Sequence, residues 1–258
     1  MSKLALVTGA TSGIGAAFAH RLLRDGYDVI AVGRRKERLE ELAEAYPGAV
    51  RTVVADLSTE SGIDTVSGLA AAESLDVLVN NAGVAHYMPL ADLPAAKAKE
   101  LVNVKVLAPT LLSRAAVPSM VERGRGTIIN VSGMIAFSGP APHSQMPRRV
   151  VYGGGLAYLV TMSQTLSAEL EGTGVQVQVL CPGVVATEFH QRQGIDMSAV
   201  PRMSADDVVT ASLRGLELGE TVVAPGVEDA GLLQAVFDAE LAAFHAQSPQ
   251  LAGRYRVD

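Results

Sequence analysis

Three glycines near the start of the chain have the spacing of a turn that binds a pyrophosphate. A short apolar run is followed by Thr8-Gly9-Ala10-Thr11-Ser12-Gly13-Ile14-Gly15, and an amphipathic stretch comes next. A strand-to-helix turn this tight needs residues without a Cβ atom, and the helix N-terminus offers free N–H groups to an anion. A glycine-rich turn without a ligand is the alternative, but this order of elements is the one that dinucleotide binding requires. We therefore expect a dinucleotide to contact Gly9, Thr11, Ser12, Gly13, Ile14 and Gly15.

The residues just past the second apolar run indicate which dinucleotide binds. An acidic residue there holds the ribose 2′-hydroxyl of NAD(H), whereas a basic residue accommodates the 2′-phosphate of NADP(H). The chain has Gly33-Arg34-Arg35-Lys36 at this place and no acid. An i,i+4 pair with Glu40 explains Lys36 but not the missing acid. Arg34, with Arg35 as a second basic residue, therefore predicts NADP(H) as the cofactor.

Alternating strands and helices must position these residues. Apolar runs predict strands at Leu4–Val7, Val29–Val32, Val50–Ala55, Val77–Val79, Thr127–Val131, Val175–Leu180 and Thr221–Ala224. Amphipathic stretches predict helices at Gly13–Leu23, Lys36–Ala45, Ser58–Ala72, 96–120, Tyr152–Leu170, Ala205–Glu217 and Asp229–Ala246, with Pro109 and Pro118 as kinks. The pattern predicts a Rossmann-type, doubly wound α/β fold with a mostly parallel seven-stranded sheet and helices on both faces. We expect a single domain over residues 1–258, with ligands beyond the carboxyl ends of the strands.

Further motifs at the predicted strand ends resemble those of the short-chain dehydrogenase/reductase family. They are Asp56 after the third strand, Asn80-Asn81-Ala82-Gly83 after the fourth, and Pro182-Gly183 with Thr187 after the sixth. With the glycine turn they fall in the family's order, from residue 3 to about residue 225. The resemblance implies that the cofactor also contacts Asp56, Leu57, Asn81, Ala82, Gly83, Tyr152, Pro182, Gly183 and Thr187.

The resemblance is incomplete at the catalytic positions. The family uses Asn, Ser, Tyr and Lys, and its lysine follows the tyrosine by one helical turn, lowers the tyrosine pKa and holds the ribose. Asn103 and Tyr152 match the first and third of these residues. Leu156 occupies the lysine position and Gly133 the serine position. Ser132 is one residue early, and neighbouring side chains on a strand point to opposite faces.

A loop before Tyr152 offers replacements for the missing groups. The segment from Ser138 to Arg149 contains Gly139, Pro140, Pro142 and Pro147, and it is longer than the corresponding segment in many relatives. Its candidates for an acid–base or cationic role are His143, Ser144, Arg148 and Arg149. The alternative is a surface loop that carries ordinary polar residues. The three glycines after Tyr152 predict a flexible or frayed helix start.

Composition excludes several other classes of function. The 258 residues carry a net charge of −6, which does not suit a nucleic-acid or anionic-membrane surface. A single cysteine, Cys181, permits no intrachain disulfide and favours a cytoplasmic location. No His, Cys, Asp or Glu cluster has metal spacing, so we expect no catalytic metal. Met197, Val200 and Met203 suggest a loop around 186–205 over an apolar, small-molecule substrate, with His190 as a further candidate contact.

Three functions remain open. The first is an atypical NADP(H)-dependent oxidoreductase acting on a carbonyl or secondary alcohol, in which Tyr152 donates the proton and Asn103 holds a water relay. The second is a non-redox enzyme on the same scaffold, such as a cyclase, dehydratase, lyase or isomerase. The third is a catalytically silent NADP(H)-binding protein. The resemblance also implies a homodimer or homotetramer.

Overall fold

The computed structural model describes residues 3–139, 141, 147–197 and 199–256 and contains a seven-stranded sheet. The strands are β1 Lys3–Thr8, β2 Tyr27–Gly33, β3 Val50–Val54, β4 Val77–Asn80, β5 Gly126–Val131, β6 Val175–Leu180 and β7 Val222–Val223. Their order in the sheet is β3-β2-β1-β4-β5-β6-β7, and neighbouring strands run parallel. The order reverses between β1 and β4, which confirms the predicted doubly wound α/β fold.

Helices pack on both faces of this sheet. They are α1 Gly13–Arg24, α2 Lys36–Ala45, α3 Glu60–Ala72, α4 Ala95–Val102, α5 Ala108–Glu122, α6 Val150–Glu169 and α7 Ala205–Leu218. Within β1, Ala5 and Val7 pack in a buried cluster with residues of α1, α2 and α7. Leu6, which lies between them, packs in a second cluster with residues of α3 and α5. Because alternate side chains point to opposite faces, a strand covered on both faces is apolar throughout.

The long helix expected over 96–120 is interrupted by one wider turn. Residues Asn103–Leu107 form a π-helical turn between α4 and α5, and we call it the π-turn. Pro109 follows it within the first turn of α5. Because proline has no N–H, Pro109 cannot donate to the carbonyl of Lys105 four residues earlier, and the wider turn forms just before it. Pro118, the second proline of this stretch, lies inside α5 without ending it.

The helical stretch Ala95–Glu122 meets the length and composition of a membrane span, with a hydropathy of 1.2. Lys105 and Arg114 are among the charged residues that interrupt its apolar sequence. Its apolar side chains include Leu112 and Met120, which are fully buried in the cluster that contains Leu6. Packing against the sheet therefore accounts for the apolar character of this helix.

Residues up to Pro225 form one compact unit, and those from Gly226 onward form a second. The second unit contains helix α8, Gly231–His245, and a short 3-10 turn at Gly253–Tyr255. Helix α8 lies two residues inside the predicted start and one inside the predicted end. All residues of the site discussed below belong to the first unit.

Candidate functional site

A cavity of about 1070 Å³ lies at the carboxyl ends of the strands, where the order of the sheet reverses. Pockets that bind small molecules and cofactors usually measure about 300–1,000 Å³, so this one is large enough for a dinucleotide. It is lined by residues predicted to contact the cofactor, namely Gly9, Thr11, Ser12, Gly13, Ile14, Arg34, Arg35, Asp56, Leu57, Asn81, Ala82, Gly83, Tyr152, Pro182, Gly183 and Thr187. Gly15 is not among its lining residues and lies buried at the start of α1.

Hydrogen bonds fix the glycine turn against the segment that follows β4. The Thr8 hydroxyl accepts hydrogen bonds from the backbone N–H groups of Asn81 at 2.9 Å and Ala82 at 3.0 Å. The Asn81 side-chain amide donates to the Thr8 carbonyl at 3.0 Å. Gly9 and Gly13 have φ angles of +69° and +56°, a conformation that glycine adopts without strain. The two segments therefore form one backbone cradle, as a bound pyrophosphate requires.

Gly15 allows the closest approach within this cradle. A Cβ atom at this position would lie 2.3 Å from the Gly9 carbonyl oxygen and 2.3 Å from Asn81 Nδ2. Real Cβ atoms do not approach other atoms so closely, and one of the obstructing atoms belongs to the backbone. Gly15 does not line the cavity, but its lack of a side chain allows the glycine turn to adopt the shape that lines it.

Replacing Gly15 by alanine is expected to lower the free energy of unfolding by about 1–3 kcal/mol, the usual cost of overpacking. Because the displaced Gly9 carbonyl belongs to the cradle, NADPH binding should weaken as well. Gly68→Ala is the matched control, since Gly68 lies in α3 and an added Cβ atom would meet no atom outside its own helix within 4 Å. That change should stabilise the protein by roughly 0.5–1 kcal/mol. Urea denaturation and NADPH titration measure both effects, and equal behaviour of the two variants would contradict this role of Gly15.

Arginine side chains gather beside the glycine turn. Arg35 donates to the Thr11 hydroxyl at 2.8 Å and to the Thr11 carbonyl at 3.0 Å. Arg34 lines the cavity and lies 3.8 Å from the Asp56 carboxylate. Two further arginines, Arg38 and Arg192, lie at the same place, and no motif in the sequence indicated them. The guanidinium groups make this end of the cavity suitable for a phosphate.

The Glu188 carboxylate lies among these arginines. It accepts hydrogen bonds from Arg192, from Arg35 at 3.0 Å and from Arg38 at 2.6 Å. These guanidinium groups, Arg192 foremost, hold the pKa of the Glu188 carboxyl well below its usual range. Glu188 lies more than 150 positions from Arg35 along the chain, so no local pattern in the sequence predicts the contact. It ties the segment after Thr187 to the start of α2.

Tyr152 lies near the start of α6 and is almost fully buried, with 7% of its surface exposed. Its ring meets that of Tyr87 edge to face at a centroid distance of 5.5 Å, and Phe189 lies at 6.4 Å. Burial, with the charge of Tyr87 and a hydrogen bond to it, raises the pKa of Tyr152 well above its usual 10.0. The hydroxyl therefore keeps its proton at neutral pH and can donate it.

The two residues at the end of β5 line the cavity but have different surroundings. The Ser132 hydroxyl donates to the backbone carbonyl of Leu156 at 2.9 Å. Gly133 has an extended backbone, and a Cβ atom there would lie 3.5 Å from the Pro182 carbonyl oxygen and 3.7 Å from Leu156 Cδ1. Those are ordinary contact distances, so the position has room for a serine. The Ser132 hydroxyl is hydrogen-bonded to α6 and is therefore not free to replace the serine that the family has at position 133.

Among the other candidate catalytic residues, His190 lines the cavity, whereas Asn103 and Arg149 contact other segments. The Asn103 side-chain amide donates to the Ser58 carbonyl at 2.7 Å, and Asn103 is not among the described residues that line the cavity. Arg149 donates to the Ser138 hydroxyl at 3.1 Å, which joins the two ends of the loop before α6. His143 and Ser144 lie outside the described residues. His190 lines the cavity, and its burial lowers its pKa.

Lys105 is a further cavity residue that no motif in the sequence indicated. Lys105 lies on the π-turn, lines the cavity and is 5% exposed. A lysine within the apolar run from Leu101 to Leu107 was the available signal. Periodicity could not assign its direction, because a π-turn shifts the phase of the helix. Among the described residues, no group of three or more His, Cys, Asp or Glu side chains could hold a metal ion.

The chain matches a family model over most of its length. Residues 3–197 match the model described as short chain dehydrogenase. The chain is 34% identical over 228 residues to sulfoacetaldehyde reductase 2 of Chromohalobacter salexigens, covering 86% of this chain and 87% of that protein. It is 35% identical over 192 residues to serine 3-dehydrogenase of Rhizobium radiobacter, covering 73% of this chain and 74% of that protein.

Solved structures are also similar to the fold of this chain. A short-chain dehydrogenase from Sphingobium yanoikuyae in complex with NADPH superimposes with a TM-score of 0.90 at 32% identity, covering 98% of this chain and all of that one. A bulky-bulky ketone specific alcohol dehydrogenase from Comamonas testosteroni gives a TM-score of 0.86 at 27% identity, covering 98% of each chain. The structural similarity therefore extends over nearly the whole chain.

Proposed function

The chain belongs to the short-chain dehydrogenase family, and from that membership we propose an NADP(H)-dependent oxidoreductase that interconverts a carbonyl and a secondary alcohol of a small, apolar molecule. The observation that carries the proposal is the position of Tyr152. Its protonated hydroxyl lies buried in the same cavity as the glycine cradle and the arginines beside it. A dinucleotide site and a proton donor in one cavity are the minimum that carbonyl reduction needs.

The charged end of the cavity supports NADP(H). Arg34 and Arg35 stand where an acidic residue would hold the 2′-hydroxyl of NAD(H), and they would hold the 2′-phosphate. The glycine cradle would hold the pyrophosphate, and Pro182, Gly183 and Thr187 would meet the nicotinamide end. The similarity to a dehydrogenase in complex with NADPH supports the same choice. When bound, this cofactor supplies the hydride.

Tyr152 would supply the proton that accompanies the hydride. The hydroxyl is protonated at neutral pH, as carbonyl reduction requires, but its raised pKa makes it a weaker acid than a tyrosine whose pKa is lowered by a neighbouring lysine. The apolar neighbours of Tyr152 exclude water, which strengthens a hydrogen bond from the hydroxyl to a carbonyl oxygen. The serine that usually assists this bond is absent, and Ser132 is engaged with α6. We therefore expect slower turnover than in relatives that have all four catalytic residues.

The walls around Tyr152 indicate an apolar substrate. This part of the cavity is formed by Val84, Tyr87, Met134, Ile135, Phe189 and Met197. No Asp or Glu other than Asp56 is among the described lining residues, and Asp56 lies at the other end, beside Arg34. A ketone with two bulky apolar substituents suits these walls, in line with the similarity to the bulky-bulky ketone specific dehydrogenase.

The proposal predicts NADPH-dependent reduction of apolar ketones and little reduction of small anionic aldehydes. The experiment follows NADPH absorbance with aryl ketones, and with sulfoacetaldehyde as the anionic comparison. Product formed without NADPH consumption would instead indicate a non-redox enzyme. NADPH binding without turnover of any carbonyl or alcohol would indicate a silent binding protein. Faster turnover of sulfoacetaldehyde than of the ketones would refute the apolar substrate.

We also propose a cytoplasmic protein that forms a homodimer or homotetramer. The single cysteine, Cys181, is free and buried, and a chain that forms no intrachain disulfide suits a reducing compartment. Family membership supports the oligomer. Light scattering after size-exclusion chromatography measures the assembly directly.

A further inference from the structure

Lys105 is a buried amine with few partners. Its side chain is 5% exposed, and its Nζ donates to the Val131 carbonyl at 3.4 Å, a long hydrogen bond. No carboxylate forms an ion pair with its Nζ in the described parts of the chain, and burial is the one cause of the shift in its pKa. Burying an ammonium group without a counter-charge costs free energy, so a lysine in this position needs an explanation.

The amine lies against the floor of the cofactor site. A Cβ atom at Gly83 would be 2.7 Å from Lys105 Nζ, so the amine touches the backbone that follows β4. Gly83 lines the cavity in the segment that forms the cradle with the glycine turn. Val131, which accepts the hydrogen bond, ends the neighbouring strand β5. Lys105 Nζ therefore lies between the ends of the two strands that flank the centre of the site.

The stem of Lys105 packs against α6 at Gly155, one helical turn after Tyr152. A Cβ atom at Gly155 would lie 3.2 Å from Lys105 Cβ, so a glycine lets the two segments meet. Gly155 follows Tyr152 by three residues and precedes Leu156, which lies on the cavity wall. The glycine run that predicted a frayed helix start lies inside α6, and one of its members makes this contact.

We propose that Lys105 replaces the lysine that the family places at position 156, reaching the hydroxyl groups of the nicotinamide ribose from the π-turn instead of from α6. This inference rests on the proposed NADP(H) function and assigns the binding of the nicotinamide ribose to one residue. Leu156 leaves the family's lysine position apolar, and the Lys105 amine lies beside Gly83 instead. π-turns are frequent at functional sites because they redirect a side chain within a helix.

The charge state of Lys105 suits this role. Burial lowers its pKa to about 8, so the ammonium form still predominates at neutral pH. Its single long hydrogen bond leaves donors available for two neighbouring hydroxyls. A ligand that accepts these hydrogen bonds would offset part of the free-energy cost of burying the ammonium group. The Lys105 amine would therefore lack acceptors in the cofactor-free protein and gain them when the cofactor binds.

The test compares Lys105→Met with Lys97→Met, an exposed lysine on α4. We expect Lys105→Met to weaken NADPH binding by about 10- to 100-fold, the effect of a charged hydrogen bond, while Lys97→Met leaves it unchanged. Calorimetric titration with 2′,5′-ADP locates the loss, because this fragment carries the 2′-phosphate but no nicotinamide ribose. Its affinity should be the same in the wild type and both variants. The cofactor-free Lys105→Met protein should unfold at the same or a higher temperature, since a buried charge has been removed.

A relocation variant gives an independent test. Lys105→Leu with Leu156→Lys returns the amine to the family's position, and it should recover NADPH affinity to within about threefold of the wild type, since the same charged hydrogen bonds are restored. Unchanged NADPH affinity in Lys105→Met would overturn the proposal. Equal losses for NADPH and 2′,5′-ADP, together with a lower unfolding temperature, would also overturn it and assign Lys105 a structural role.

Failure of the proposed function is a separate result. A wild type that binds NADPH but reduces no carbonyl refutes the oxidoreductase, and the binding series still decides the role of Lys105. If the wild type binds NADPH no more tightly than 2′,5′-ADP, the nicotinamide half adds no affinity, and Lys105 is refuted as a ligand of its ribose. A wild type that binds neither molecule refutes both proposals.

Discussion

Replacing Tyr152 by phenylalanine is expected to lower the kcat for carbonyl reduction by about 10²- to 10⁴-fold, the usual contribution of a general acid. The ring would remain packed between Tyr87 and Phe189, so the fold should be unaffected. NADPH affinity should fall by no more than about tenfold, the value of one neutral hydrogen bond. Stopped-flow measurement of NADPH oxidation at saturating ketone gives kcat, and fluorescence titration gives the affinity.

Tyr158→Phe is the matched control for this change. Tyr158 lies on the same helix, and its hydroxyl is 2.8 Å from the Thr110 hydroxyl rather than in the cavity. It should retain the kcat of the wild type. If the two variants reduce ketones at the same rate, Tyr152 is not the proton donor and another group in the cavity must be sought.

The pH profile provides a further measurement on the same residue. Reduction needs the protonated hydroxyl, so activity falls as the pH rises through the pKa of Tyr152. Because burial and Tyr87 raise that pKa, the wild type should remain active above pH 10.0, the usual pKa of tyrosine, as long as it stays folded and binds NADPH. The titration of Lys105, with a pKa of about 8, should appear in the apparent KM for NADPH instead.

Removing Arg34 and Arg35 together is expected to weaken NADPH binding by about 100-fold or more and to leave NADH binding unchanged, because charged hydrogen bonds to the 2′-phosphate are lost. The ratio of the two affinities is the relevant quantity. It isolates the 2′-phosphate from the rest of the cofactor, which NADPH and NADH share. Titration of Arg34→Ala/Arg35→Ala with both dinucleotides measures the change.

The contacts of Arg35 require a control for the shape of the turn. Arg35 also binds Thr11, so a loss of NADH binding in the double variant would report a disturbed glycine turn. Arg38→Ala removes a guanidinium that binds Glu188 from outside the cavity, and it should change the affinity ratio far less. Equal losses for NADPH and NADH in the double variant would contradict selection by these arginines.

Local patterns predicted the fold and the residues of the glycine turn and of the segment after β4 that line the cavity. The alternating apolar runs placed all seven strands, and helix α2 begins and ends at the predicted residues Lys36 and Ala45. The glycine turn and Asn81 were recognisable because each lies within a few residues of a strand end. Their positions follow from the rule that parallel strands end at the same edge of the sheet.

Contacts between distant segments explain what the sequence could not provide. Glu188 meets Arg35 across more than 150 positions, and nothing near either residue indicates the pair. Lys105 was visible as a charge in an apolar run, but its direction depends on the π-turn before Pro109. Gly155 was expected to loosen α6, because intrinsic propensity counts the cost of a glycine and not the space that it gives to a neighbouring side chain.

The contact between Gly155 and Lys105 bears on how active members of this family are recognised. When tyrosine and lysine share a helix, their spacing of four residues is a linear signature that can be read from any sequence. Here the corresponding pair would be assembled from two segments about fifty positions apart, and only tertiary packing brings them together. A chain can then lose the signature and keep the pair. Sorting relatives into enzymes and pseudoenzymes by the four-residue spacing would misclassify every protein built in this way.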